Sequence, residues 1–145
     1  FLGSRTELID MFFYDKNFGF KVPNAKNPRV SDDYKYDING ISNTGFVRTP
    51  VIRIAGREEN FSINDVDFAN AARFFEKAKA RVGMPNASLG SMSVRRTKSP
   101  FDNKCFRTEW HVSLKSGVNE GSVSYDNDGN EMRVRKNGET ISEEK

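Results

Sequence analysis

The sequence predicts an α+β fold in which one main amphipathic helix packs on a curved antiparallel sheet. Three observations carry that expectation. Apolar residues recur at steps of three and four through Phe68, Ala71, Phe75, Ala78 and Val82, the period of a helix with one buried face. From Cys105 to Lys115 the character alternates at every residue, the period of a strand buried on one side. The alternation then returns twice more, broken by Asp126-Asn-Asp-Gly-Asn130 and by Asn137-Gly138, both turn sequences.

Taken in order, the chain begins with Ser4-Arg-Thr-Glu7, a capping-box pattern ahead of Leu8, Ile9, Met11, Phe12 and Phe13. It fits a short helix over about 5–13. It fits equally a strand through Met11–Tyr14 that turns at Asp15-Lys-Asn17 into Phe18–Val22. Pro23 to Gly45 is rich in Asn, Asp, Pro and Gly and lacks a clean period, so it reads as a long loop with a brief strand near Tyr34–Ile38. Loops of that length in compact domains tend to be functional, which makes 23–45 a candidate recognition element. Phe46–Ile54 is a strand candidate confined by Pro50 to an edge or a bulge, and Gly56-Arg-Glu-Glu turns the chain toward Phe61.

Ser62 or Asn64 can cap the helix, with Asp65 and Asp67 near the positive end of its dipole. Phe74 and Ala72 widen the apolar stripe, while Arg73, Glu76, Lys77 and Arg81 take the opposite side. Gly83 supplies a left-handed stop and Pro85 prevents continuation. In the strand that follows, Phe106, Thr108, Trp110, Val112 and Leu114 point inward, where Met92, Val94, Val123 and Tyr125 match them. Phe68, Phe75, Trp110 and Val112 are thereby assigned to one core. Gly129 suits a positive-φ bulge, and Met132 and Val134 begin a return strand. Residues 1–138 read as one α+β domain, and 139–145 as a polar tail.

A helix followed by a meander, with the Trp-x-Val-x-Leu…Gly-x-Val-x-Tyr-Asp-x-Asp-Gly rhythm of residues 110–129, resembles the cystatin-like and NTF2-like architectures and PepSY-type modules. The resemblance spans the second half of the chain. It implies a helix cradled by a curved sheet, and it assigns no site residue.

Composition bounds the function. Hydrophobic residues are 36% of the 145, but twelve Phe, four Tyr and one Trp give much apolar area per residue, enough for a folded core. Charge is plentiful yet balanced, at a net +3, which is no electrostatic argument for nucleic acid. The single cysteine, Cys105, excludes an intrachain disulfide and a CxxC centre; it suits a reducing compartment and also many bacterial exported domains. The sequence opens at Phe1, which fits a processed protein or an excised domain, and no apolar run reaches the roughly 18 residues that span a membrane. The sequons at Asn60 and Asn86 occur at a frequency chance supplies.

Several constellations fail on geometry. Cys105 and His111, with Glu109 or Asp102 as orienting acid, suggest a nucleophile and base, but six residues of extended chain hold them roughly 20 Å apart. Asp126–Asn130 resembles a calcium loop, yet with Gly129 in the glycine position the first ligand is Ser124 and the twelfth is Arg135, which repels the ion. Asp32-Asp33 and Glu58-Glu59 are neighbours that point oppositely on a strand, and no GxGxxG or GxxxxGK is present. No cofactor is expected.

What survives is the outer sheet face. Arg107, His111 and Lys115 share it, and antiparallel pairing brings Arg95, Arg133 and Arg135 alongside, relieved by Glu109 and small residues. That set suits an anionic partner; on a one-sided sheet it also suits plain solvation. The first functional reading is a non-enzymatic binding or accessory domain of a bacterial exported or envelope protein, with a protein partner met by the sheet face or the 23–45 loop. The second is a nucleic-acid-binding domain on the basic face, although stacking aromatics point inward there. The third is an enzyme or small-ligand cavity between helix and sheet, using Thr108 and Tyr125.

Overall fold

The computed structural model describes residues 7–27, 29–37, 40–43, 49–50, 58–98 and 105–143. In chain order the strands are β1 (Glu7–Leu8), β2 (Asp10–Phe13), β3 (Phe18–Pro23), β4 (Val30–Asp37), β5 (Gly40–Asn43), β6 (Thr49–Pro50), β7 (Glu58–Glu59) and β8 (Phe61–Ser62). A 3-10 turn over Ile63–Asp65 leads to α1 (Ala69–Val82), and then come β9 (Ser88–Lys98), β10 (Phe106–Ser116), β11 (Asn119–Asp126), β12 (Glu131–Lys136) and β13 (Glu139–Glu143). One antiparallel sheet runs in the order β13-β12-β11-β10-β9-β2-β3-β4-β5, with β6 added to β4 and β7 to β9, and β1 pairs with β8 separately. The class is α+β, as the sequence predicts.

Two rows of side chains on the inner face make the core. Val134, Val123, Val112, Met92, Phe13, Phe18 and Tyr36 are successive cross-strand partners, and so are Tyr125, Trp110, Val94, Met11, Phe20 and Tyr34. Their rings continue from strand to strand, Phe13 stacking on Trp110 at 5.8 Å and Phe20 on Tyr34 at 5.3 Å. Trp110, Val112, Val123 and Tyr125 are fully buried, each side chain of that kind stabilising the fold by about 1.5–3 kcal/mol. Helix α1 covers the β10–β12 end of these rows through Phe74, Ala78 and Val82.

The helix differs from expectation at its start. Ser62 caps the 3-10 turn: its hydroxyl accepts from Asn64 N–H at 3.2 Å while Asp65 accepts from Ser62 N–H at 3.0 Å. The helix proper begins at Ala69, whose N–H is taken by Asp67 Oδ1 at 3.0 Å. Phe68 therefore precedes the first turn and stands 46% exposed, its ring edge-to-face with that of Phe13. Phe75 is partly buried, and the buried seam is Asn70, Phe74, Ala78 and Val82. The end is as the sequence foretold: Gly83 is left-handed at φ 68° and its N–H bonds back to Ala80 and Lys79. Lys136 Nζ donates to Val82 C=O at 3.0 Å, a cation at the negative end of the dipole.

Of the two N-terminal readings the strand hairpin is the one formed, as β2–β3, and not the helix. Two further expectations are corrected. The 23–45 segment is mostly β4 and β5, because Asn24 gathers the chain into a short turn: its Oδ1 accepts from Lys26 and Asn27 N–H, and its Nδ2 donates to Asp32. Glu139–Glu143, expected as a tail, is strand β13 on the edge of the sheet, reached through Asn137 (φ 50°) and Gly138 (φ 84°) as a tight hairpin turn. Of the Phe46–Ile54 strand, Thr49–Pro50 pairs with β4, and the remainder lies outside the described residues.

Candidate functional site

The outer face is the alternate set of the same residues. Around β10 the register lines up Arg95, Glu109 and Asp126 in one row; Ser93, His111, Ser124 and Arg133 in the next; and Ser91, Ser113, Ser122 and Arg135 in a third. Lys115 follows, opposite Glu120, and Arg107 lies beyond the first row opposite Thr97. All six basic residues picked from the sequence, Arg95, Arg107, His111, Lys115, Arg133 and Arg135, thus fall on one face.

The face is less basic than those six imply. Arg95 donates from Nε to Asp10 at 3.0 Å, and Arg133 donates from Nε to Glu143 at 2.8 Å. Glu109 accepts from Thr97 Oγ1 at 3.0 Å. Farther along, Lys21 lies 3.6 Å from Asp33. Asp10 and Glu143 escaped the sequence reading because both stand on strands it did not connect to this sheet. The exposed Arg133–Glu143 pair adds at most about 1 kcal/mol to stability, but both arginine pairs neutralise. Arg135 and Lys115 form no ion pair with a carboxylate among the described residues.

Between the serine rows and the Asn137-Gly138 turn lies an open recess of about 190 Å³, lined by His111, Ser113, Glu120, Ser122, Arg135 and Asn137 among others. Asn137 closes one end: its N–H donates to Glu120 C=O at 2.9 Å and its Oδ1 accepts from Glu120 N–H at 3.0 Å. His111 Nδ1 shares a 3.1 Å hydrogen bond with the hydroxyl of buried Ser124. Packing against the flanking strands holds the His111 pKa below its usual value even though part of the ring meets solvent. Glu109 opposes that shift, and Arg95, Arg135 and Arg133 add to it. The ring is neutral at pH 7. The serines were visible in the sequence only as small residues; their hydroxyls gain meaning from the register that sets Ser113 against Ser122.

Phe12, the cross-strand partner of Ser93, also belongs to the outer face, with Lys21 Nζ 6.0 Å from its ring centre. One aromatic ring therefore does reach that side. Cys105 stands exposed just ahead of β10, six positions from His111. Among the described residues no three His, Cys, Asp or Glu converge as a metal site requires. Between helix and sheet, Phe74 stacks on Tyr125 and meets Trp110 edge-on. The Tyr125 hydroxyl is buried without a hydrogen-bond partner among the described residues. Burial, aided by Glu131 and opposed by Arg81, pushes its pKa up to about 12, so the phenol stays protonated and is a poor base.

No protein-family model matches the chain, and no curated protein does. A "putative lipoprotein" from Clostridium difficile 630, known from a crystal structure, is similar at 16% identity, with 90% of this chain and 82% of that chain covered and a TM-score of 0.42. The likeness is too loose to carry fold or function across. No helix among the described residues is long and apolar enough to cross a membrane.

Proposed function

We propose that the chain is a non-catalytic binding domain that engages an acidic protein partner through the outer face of its sheet, as an accessory part of an exported or envelope protein. The observation that supports this is the register, which gathers six basic side chains on one face, two of which, Arg135 and Lys115, form no ion pair among the described residues. Charges so arranged steer an anionic surface without any need for deep burial. The lone cysteine is compatible with an exported setting.

The test is binding of the whole chain to polyglutamate and to a single-stranded oligonucleotide of equal charge, each titrated with salt. Polyglutamate binding at low salt that weakens steeply with ionic strength, and that falls when Lys115 and Arg107 are both changed to Glu, is expected. An oligonucleotide that binds far more tightly than polyglutamate replaces this reading with a nucleic-acid one, for which Phe12 is the stacking ring to mutate. Failure of both at low salt rejects the face as an anion site.

A further inference from the structure

We infer that the recess beside Arg135 is a subsite for one tetrahedral oxyanion, a phosphate or sulfate ester group carried by the partner; this rests on the outer-face reading and narrows it. Its room of about 190 Å³ equals the liquid share of about six waters, enough for a four-oxygen group and its linking atom. Its donors come from three strands. Arg135 on β12 offers a planar fork, and Ser113 on β10 and Ser122 on β11 face each other as rotatable hydroxyls. His111 completes the set: Nδ1 is engaged with the Ser124 hydroxyl, and Nε2 lies on the far side of the ring, a donor in the tautomer whose Nδ1 accepts and in the imidazolium.

Donors spread over three strands suit an acceptor with oxygens in several directions. A planar carboxylate is satisfied by the arginine fork alone. Neutralisation sharpens the choice, because Arg95 is turned to Asp10 and Arg133 to Glu143, which leaves Arg135 as the cation available to a ligand in this recess. Glu120 also lines the recess and repels an anion; Lys115, its register partner, offsets it. Asn137 is occupied in holding the end wall.

The experiment is calorimetric titration of the whole chain with sulfate, inorganic phosphate, phosphoserine and acetate at low salt and pH 7.5. Sulfate and phosphoserine are expected to bind at least about tenfold tighter than acetate. Arg135→Gln removes that preference, whereas Lys16→Gln, in the exposed β2–β3 turn away from the recess, changes it less than about twofold, with unchanged melting curves showing that both variants fold. Sulfate keeps its charge across the range, so its affinity rises as the pH falls below 6.5 and His111 takes up a proton. The other charged groups facing this part of the sheet are Arg95, Arg133, Arg135, Lys115, Glu109 and Glu120. His111→Gln flattens that rise. Sulfate no tighter than acetate, or an Arg135→Gln chain that binds sulfate normally, overturns the subsite. Inorganic phosphate that binds while phosphoserine does not overturns the ester assignment. Polyglutamate binding that persists in either case leaves the broader reading standing, so the two fail separately.

Discussion

The ring of Phe74 lies stacked on Tyr125, their centroids 4.8 Å apart and their planes 24° from parallel, while its edge meets Trp110 at 5.6 Å. This one side chain joins the helix to the two largest buried residues of the sheet. Phe74→Ala is expected to cost about 3–5 kcal/mol in urea unfolding. Phe68→Ala, at a site open to solvent, should cost less than about 1 kcal/mol. The reverse order would mean that the helix is rotated from the position described.

Gly121 sets how closely the helix approaches. A Cβ built there falls 2.6 Å from Val82 Cγ1 and 3.1 Å from the Met84 sulfur. Gly121→Ala should therefore destabilise by about 1–3 kcal/mol through overpacking. Combining it with Val82→Ala should return part of that loss, a coupling that a double-mutant cycle reads directly. Additive losses would place the helix end farther from β11.

Asn127 ties the β11–β12 turn to both layers. Its Oδ1 accepts from Trp110 Nε1 at 3.1 Å, and its backbone carbonyl accepts from the buried Asn70 amide at 3.0 Å. Asn127→Ala leaves the indole N–H without its partner, and a cost of about 1–3 kcal/mol follows. Trp110 fluorescence and denaturant midpoints should shift together; an unchanged midpoint would show that solvent replaces the amide without loss.

His111 makes stability depend on pH. Its folded pKa lies below its ordinary 6.5, so between the two values the unfolded chain binds more protons than the folded one. Stability then falls as pH drops through 6.5 toward the folded pKa, and levels off below it. Melting temperatures of wild type and His111→Gln should diverge over that window, with the variant the flatter. Bound sulfate should weaken the fall in wild type. Parallel curves for the two proteins would assign the dependence to other groups.

The parts of the fold that could be read from sequence were those where local pattern and tertiary burial agree. β10 alternates without exception and has a neighbour on each side, so Trp110 and Val112 announce their face. Gly83 needs a left-handed backbone, and that need is local. The helix stripe was harder, because Phe68, Phe75 and Phe74 offer overlapping series at the same spacing. What decided between them is Asn70, a polar residue buried to bond Asn127, which no hydrophobicity pattern marks. β4 was obscured in another way: its Asp and Lys residues look like loop, yet Asp33 and Lys35 are the outer positions of a strand whose inner ones are Tyr34 and Tyr36. Likewise the basic face could be drawn from the alternation of residues 88–136 and its antiparallel pairing, but Asp10 reaches Arg95 across 85 positions of sequence. A single-strand pattern carries no information about such a neighbour.

That long-range junction also dictates an order of assembly. β2 finds its place against β9, so the first strands made cannot be paired on that side until β9 has followed the helix out. The meander β9–β13 closes through short turns and can form early, whereas docking β2–β5 bears the entropy of a far larger loop. In refolding, amides of β10 and β11 should gain exchange protection before those of β2 and β3. β2 and β3 are in this sense the last strands of the sheet to mature.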